Sequence, residues 1–163
     1  MTDAEALYDD LAGVVDLFGA LSRAELGRAL DELAFKQGRD ADAAALSAAV
    51  EDAVREYYLV AYDRDGVALL VPGPAAFPSL PANAEDLPHI LDVDRRTVDR
   101  GSAADAAAAR LRRDSEAAVR AGDEARIERL LDVAYDAELW APGDADAAAT
   151  VETVRARLEA ALD

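Results

Sequence analysis

Leu7, Leu11, Val14, Phe18 and Leu21 recur at steps of four and three, the spacing of one apolar stripe on an amphipathic helix. Ser22-Arg23-Ala24-Glu25 then reads as a capping box, with the serine at the N-cap and the glutamate three residues on. It opens a second helix whose inner face is Leu26, Leu30 and Leu33 and which ends by Gly38. Asp40 or Asp42 can cap a third helix, over residues 42 to 57, with Leu46, Val50, Ala53, Val54 and Tyr57 facing inward. The period then changes. Tyr58-Leu59-Val60-Ala61-Tyr62 and Val67-Ala68-Leu69-Leu70-Val71 flank the turn signal Asp63-Arg64-Asp65-Gly66, which predicts a β-hairpin stopped by Pro72-Gly73-Pro74.

Beyond the hairpin, Pro74, Pro78, Pro81 and Pro88 mark an extended connector, interrupted by a short helix near Leu87 to Leu91. Phe77, Leu80, Leu87, Ile90 and Leu91 make it too apolar for a free linker. The remainder is helical. One helix is expected to start at Ser102, with Asp105 at its third position, and to end at Gly122. A second, capped by Asp123, faces Ile127, Leu130, Leu131 and Ala134 inward and runs to Trp140 and the stop Pro142-Gly143. A last helix puts Val151, Val154, Leu158 and Ala161 on one face. The helix from 102 to 121 is apolar mainly through alanine, so it buries little area alone and can complete its core against a partner. The expected fold is mainly α with one β-hairpin: a winged-helix-like domain at residues 1–73, a Pro-rich connector with a short helix at 74–100, and a C-terminal helical region at 101–163.

Charge narrows the setting. The formal net charge is -17 over 163 residues, and among 17 basic residues only Lys36 is a lysine. At molar salt the Debye length falls to about 3 Å, so an acidic surface costs little self-repulsion and keeps a protein hydrated. This composition points to a halophile. No cysteine is present, which excludes disulfides and thiolate-ligated metal. No stretch approaches the roughly 20 apolar residues of a membrane span, and residues 1 to 8 lack the basic and apolar regions of a signal peptide. The expected location is the cytoplasm, with no membrane association.

Segments spread along the chain resemble a set of uncharacterised haloarchaeal proteins. They are Val15-Asp16-Leu17-Phe18-Gly19-Ala20-Leu21 with Arg23-Ala24-Glu25-Leu26, Pro74-Ala75-Ala76-Phe77-Pro78, Asp86-Leu87-Pro88-His89-Ile90-Leu91 and Leu131-Asp132-Val133-Ala134-Tyr135. The resemblance implies a domain of unknown function and carries over no catalytic residue. The first 73 residues resemble winged-helix domains in element order only, and a fold does not fix a function.

A winged helix raises DNA binding first, since the second helix of a helix-turn-helix pair reads the major groove. Here that helix would turn Ala43, Ala44, Ser47, Ala48, Glu51 and Asp52 outward, none with the bidentate donors that read guanine or adenine. The wing carries only Arg64, and residues 1–73 hold 15 acidic against 6 basic side chains. The one basic stretch lies elsewhere: Arg95, Arg96, Arg100, Arg110, Arg112 and Arg113. Arginine holds phosphate bidentately. These residues are therefore candidates for binding nucleic acid or a partner, although Arg110 with Asp114, Arg112 with Glu116, and Glu116 with Arg120 have the i,i+4 spacing of internal pairs. Tyr135 and Trp140, near a helix end, are candidate partner anchors, the alternative being that they complete the core.

Catalytic signals are sparse. His89 is the one histidine, and no serine sits in a nucleophile-elbow pattern. Asp63-Arg64-Asp65-Gly66 starts like a calcium loop but lacks the later acidic ligands, and Glu128, Asp132 and Asp136 at i, i+4, i+8 read most simply as a solvated face. No cofactor or metal is expected. The leading expectation is a non-enzymatic interaction module, with a protein partner or a homo-oligomer. A DNA-binding regulator using the arginines is the alternative, disfavoured by charge, and a small hydrolase using His89 the weaker one.

Overall fold

The computed structural model describes residues 2–40, 42–142 and 146–163. Among these the chain forms seven helices and one antiparallel hairpin. It divides into two compact units, Met1–Val98 and Asp99–Asp163.

In the first unit, α1 (Asp3–Phe18) begins at a capping box formed by Thr2 and Glu5. It ends one turn earlier than its apolar stripe predicts. Gly19 adopts φ +83°, and the chain turns out of the helix there. Leu21 is fully buried, but through a β-bridge to Leu70 and not through helical spacing. The bridge exchanges both backbone hydrogen bonds, Leu21 N–H to Leu70 O at 3.1 Å and Leu70 N–H to Leu21 O at 2.7 Å. The next segment, α2 (Arg23–Lys36), opens on the Ser22/Glu25 box. Asp42 accepts from the Ala45 N–H and starts α3 (Ala43–Arg55). Tyr57 follows in a left-handed conformation, φ +66°, with its side chain buried.

The strands β1 (Leu59–Arg64) and β2 (Val67–Pro72) pair from Leu59 opposite Pro72 to Arg64 opposite Val67. Asp65 and Gly66, both with positive φ, make the two-residue turn, as a type I′ hairpin requires. Val14, Phe18, Leu26, Leu30, Val54, Leu59 and Leu70 form the core between the helices and the inner face of the hairpin.

The Pro-rich segment after Pro72 is a strap held on this unit. The side chain of Asp9, itself buried, accepts from the Phe77 N–H at 3.0 Å, and the Asp9 carbonyl accepts from the Ser79 N–H at 3.0 Å. Lys36 and Gln37, at the end of α2, donate to the carbonyls of Asn83 and Ala82. The short α4 (Leu87–Leu91) follows, packed on α2 with Leu87 fully buried. The strap then returns to the end of α1, where the Arg96 N–H donates to the Phe18 carbonyl at 2.8 Å.

The second unit is an antiparallel three-helix arrangement: α5 (Arg100–Ala121), α6 (Glu124–Trp140) and α7 (Asp146–Leu162), each in contact with the other two. Asp99 caps α5 by accepting from the Ser102 N–H. The helix therefore starts two residues before Ser102, which lies in its first turn. Gly122 in the left-handed region ends α5, and Asp123 caps α6, as their sequence positions predict. The expected stop at Gly143 lies outside the described residues. Leu111, Ile127, Leu130, Val151, Val154 and Leu158 carry the core, with alanines closing the spaces between helices. Ala161, expected inside, is exposed.

Candidate functional site

Four surfaces bear on function: the face of α3, the arginines, and a groove and a helical ridge on the second unit.

The outward face of α3 is built as its sequence predicts. Ala43, Ala44, Ser47, Ala48, Glu51 and Asp52 are all exposed. Glu51 is tied to α2, where Arg23 grips both its carboxylate oxygens at 2.7 and 3.0 Å. Their junction lines a shallow groove of about 120 Å³ with Gly27, Ala43 and Ser47. The face therefore offers mostly methyl groups and carboxylates, and its single exposed guanidinium is that of Arg55 in the last turn.

The arginines fall on both units and do different work. Arg96 is structural. Its guanidinium reaches the Glu25 carboxylate with two bonds, 2.6 and 3.0 Å, and also donates to the Ala20 carbonyl at 3.0 Å. Arg96 holds the Glu25 carboxyl down from 4.5 to about 2, burial working against this and the Ser22 bonds adding to it. Arg95, exposed beside it, approaches the Leu17 carbonyl at 3.5 Å. On α5, Arg110 is half-buried and pairs with Asp114 at 3.5 Å, while Arg100, Arg112 and Arg113 are exposed. Glu116 meets Arg157 of α7 at 3.8 Å, across the helix pair, and not Arg112 or Arg120 along its own helix.

Between α5 and α7 lies a groove of about 600 Å³. Val119, Val154, Leu158, Ala160 and Ala161 give it an apolar lining, and Arg112, Arg120, Arg157 and Glu116 border it. Val119 is 43% exposed there. Ser115 also lines it, with its hydroxyl buried and without a hydrogen-bond partner. That is an unusual state for a buried polar group. Sequence reasoning missed Ser115, Val119 and Arg157. The available signal was the alanine-rich stretch of α5, whose side chains are too small to fill the angle between two helices.

Across the same unit, α6 presents an outward ridge. Tyr135 is 45% and Leu139 90% exposed, on the same face as Glu128, Asp132 and Asp136. The Tyr135 hydroxyl donates to Glu159 at 2.7 Å, and the Arg155 guanidinium lies 5.9 Å from its ring centre. Arg155 also bonds Glu138 and Glu159. Burial raises the Asp136 carboxyl, with Arg129 opposing and Asp132 adding to the rise. Trp140 is half-buried at the helix end. His89 is exposed in α4 and lines none of these grooves. Among the described residues no three His, Asp or Glu side chains come together as a metal site, and no helix is long and apolar enough to cross a membrane.

These features define a mainly helical protein with a single two-stranded hairpin and an acidic composition. The chain belongs to a family of unknown function (DUF7109), whose model matches residues 9–163. Neither a curated protein nor a solved structure matches it.

Proposed function

We propose that this chain is a non-enzymatic protein-interaction module on a winged-helix-like scaffold, working in the salt-rich cytoplasm of a halophile. The order α1, α2, α3, β1, β2, with the segment between α1 and α2 bridged to β2, supports the scaffold. The observation that carries the function is the exposed face of α3. A helix that reads DNA needs several long donors there, and this one shows alanines, Ser47, Glu51 and Asp52, with the single arginine Arg55 in its last turn. Small residues let another protein's backbone or side chains approach closely, which suits a protein partner. The acidic balance of residues 1–73 repels phosphate, and molar salt weakens every phosphate contact further. One observation favours a second reading, a DNA-binding regulator: Arg100, Arg112 and Arg113 are exposed along α5. The exposure of His89 gives a hydrolase no support.

A photo-crosslinking residue at Ala48, expressed in a halophilic host at native salt, tests the first reading. A discrete protein adduct is expected at Ala48 and not with the same residue at Ala4, exposed on α1. The absence of any adduct above the Ala4 control counts against this face as a protein-binding surface.

A further inference from the structure

We propose that the α5–α7 groove of one copy receives the α6 ridge of a second copy, so that the protein associates head to tail. This rests on the reading of the chain as an interaction module and names the occupant of one of its surfaces.

Three features of the groove ask for the same kind of occupant. Its lining is apolar and part-exposed at Val119. Arg112, Arg120 and Arg157 border it against the single carboxylate of Glu116, so it is cationic on an otherwise acidic protein. Ser115 holds a buried hydroxyl with no acceptor. The occupant must bring apolar side chains and carboxylates on one face.

The α6 ridge has that composition. Positions 128, 132, 135, 136 and 139 fall within about 100° of arc at 100° per residue. They lie opposite the buried face of Ile127, Leu130, Ala134 and Ala137. Leu139 and Tyr135 supply apolar area, and Glu128, Asp132 and Asp136 the carboxylates. The dimensions agree: Arg112 to Arg120 and Glu128 to Asp136 each span eight helical residues, about 12 Å at 1.5 Å per residue. The ridge also carries like charges one turn apart, which repel within their own helix and are relieved on meeting arginines.

The charge pattern selects the geometry. A two-fold pairing of groove on groove would set arginines against arginines. Groove on ridge is heterologous, and such a contact propagates into rings or chains.

The test is sedimentation velocity of the full chain over a range of protein concentrations and KCl. Wild type is expected to rise from monomer toward multiples of the monomer mass, and to do so less as salt increases. Val119→Asp places a carboxylate in the groove, and Leu139→Arg an arginine on the ridge. Both sites are exposed, so circular dichroism should show both variants folded. Each variant alone is expected to stay monomeric. Mixed, they should form a one-to-one dimer and nothing larger, because only one intact groove and one intact ridge remain in the pair. A monomeric wild type at every concentration, assembly by either variant alone as in wild type, or a mixture that stays monomeric overturns the proposal. If wild type is monomeric yet crosslinks a protein through Ala48, the inference fails and the interaction reading survives. Saturable DNA binding removes the reading whatever the mass.

Discussion

Replacing Gly19 by alanine is expected to cost about 3 kcal/mol or more, placing it among the most damaging single-methyl additions in the first unit. Two causes combine. The backbone at Gly19 has φ +83°, outside the range an L side chain readily adopts. A Cβ there would also run into the carbonyl oxygen of Arg96, which is backbone and cannot swing aside. Relieving the clash means lifting the strap from α1, with the Arg96 N–H leaving the Phe18 carbonyl. Gly13→Ala separates the second cause from the first. Gly13 is helical, so alanine should gain about 1 kcal/mol from propensity. Its Cβ would instead meet the backbone of Ser79, and a net loss of about 2 kcal/mol is expected. Gly27→Ala is the control. It sits in α2 with open space at the Cβ, and should stabilise by up to about 1 kcal/mol. Urea unfolding at constant KCl measures all three. A neutral Gly13→Ala would show that the strap is not seated on α1 as described.

The second large effect belongs to Arg96 and Glu25. Arg96→Ala takes the guanidinium from a part-buried carboxylate, which keeps the Ser22 N–H, and removes a donor from the Ala20 carbonyl, so a loss of about 2–4 kcal/mol at neutral pH is expected. The pair also sets an acid dependence. Glu25 has a folded-state pKa of about 2 against an ordinary 4.5, so the unfolded chain binds the proton first as pH falls. Its contribution is fully present above about pH 4.5 and is lost as pH drops toward 2. Glu25→Gln should therefore be less stable than wild type at neutral pH, and the difference should shrink through that window. An unchanged difference from pH 5 to pH 2 would contradict the assignment.

Much of the fold was legible because its signals are local. The Ser22/Glu25 box, Gly122 and Asp123 act over three or four residues and stand where the sequence puts them, while the structure selects Asp42 from the pair Asp40 and Asp42 and narrows the turn of Asp63 to Gly66 to its last two residues. The misreadings share a cause. Leu21 continues the helical spacing of α1, but a partner 49 positions away in sequence, Leu70, holds it in an extended bridge. The cap of α5 moved to Asp99 because Asp99 and Ser102 satisfy each other across the first turn, through the Ser102 N–H and hydroxyl. The run from Arg95 to Arg113 reads as one basic stretch in one dimension. In three, Arg96 is committed to Glu25 while Arg100, Arg112 and Arg113 lie on α5 in the other unit. The groove was not legible at all. It arises from where α7 comes to lie beside α5, and no spacing within either helix encodes that.

On the proposed reading, this scaffold engages protein and does not read nucleic acid. Fluorescence anisotropy of labelled duplex DNA, with protein titrated at stepped KCl down to the lowest concentration that preserves the fold, tests it most directly. No saturable binding is expected at any step. Saturable binding that weakens with salt and disappears in the Arg112→Ala, Arg113→Ala double variant would contradict it and make the exposed arginines of α5 a phosphate-binding surface.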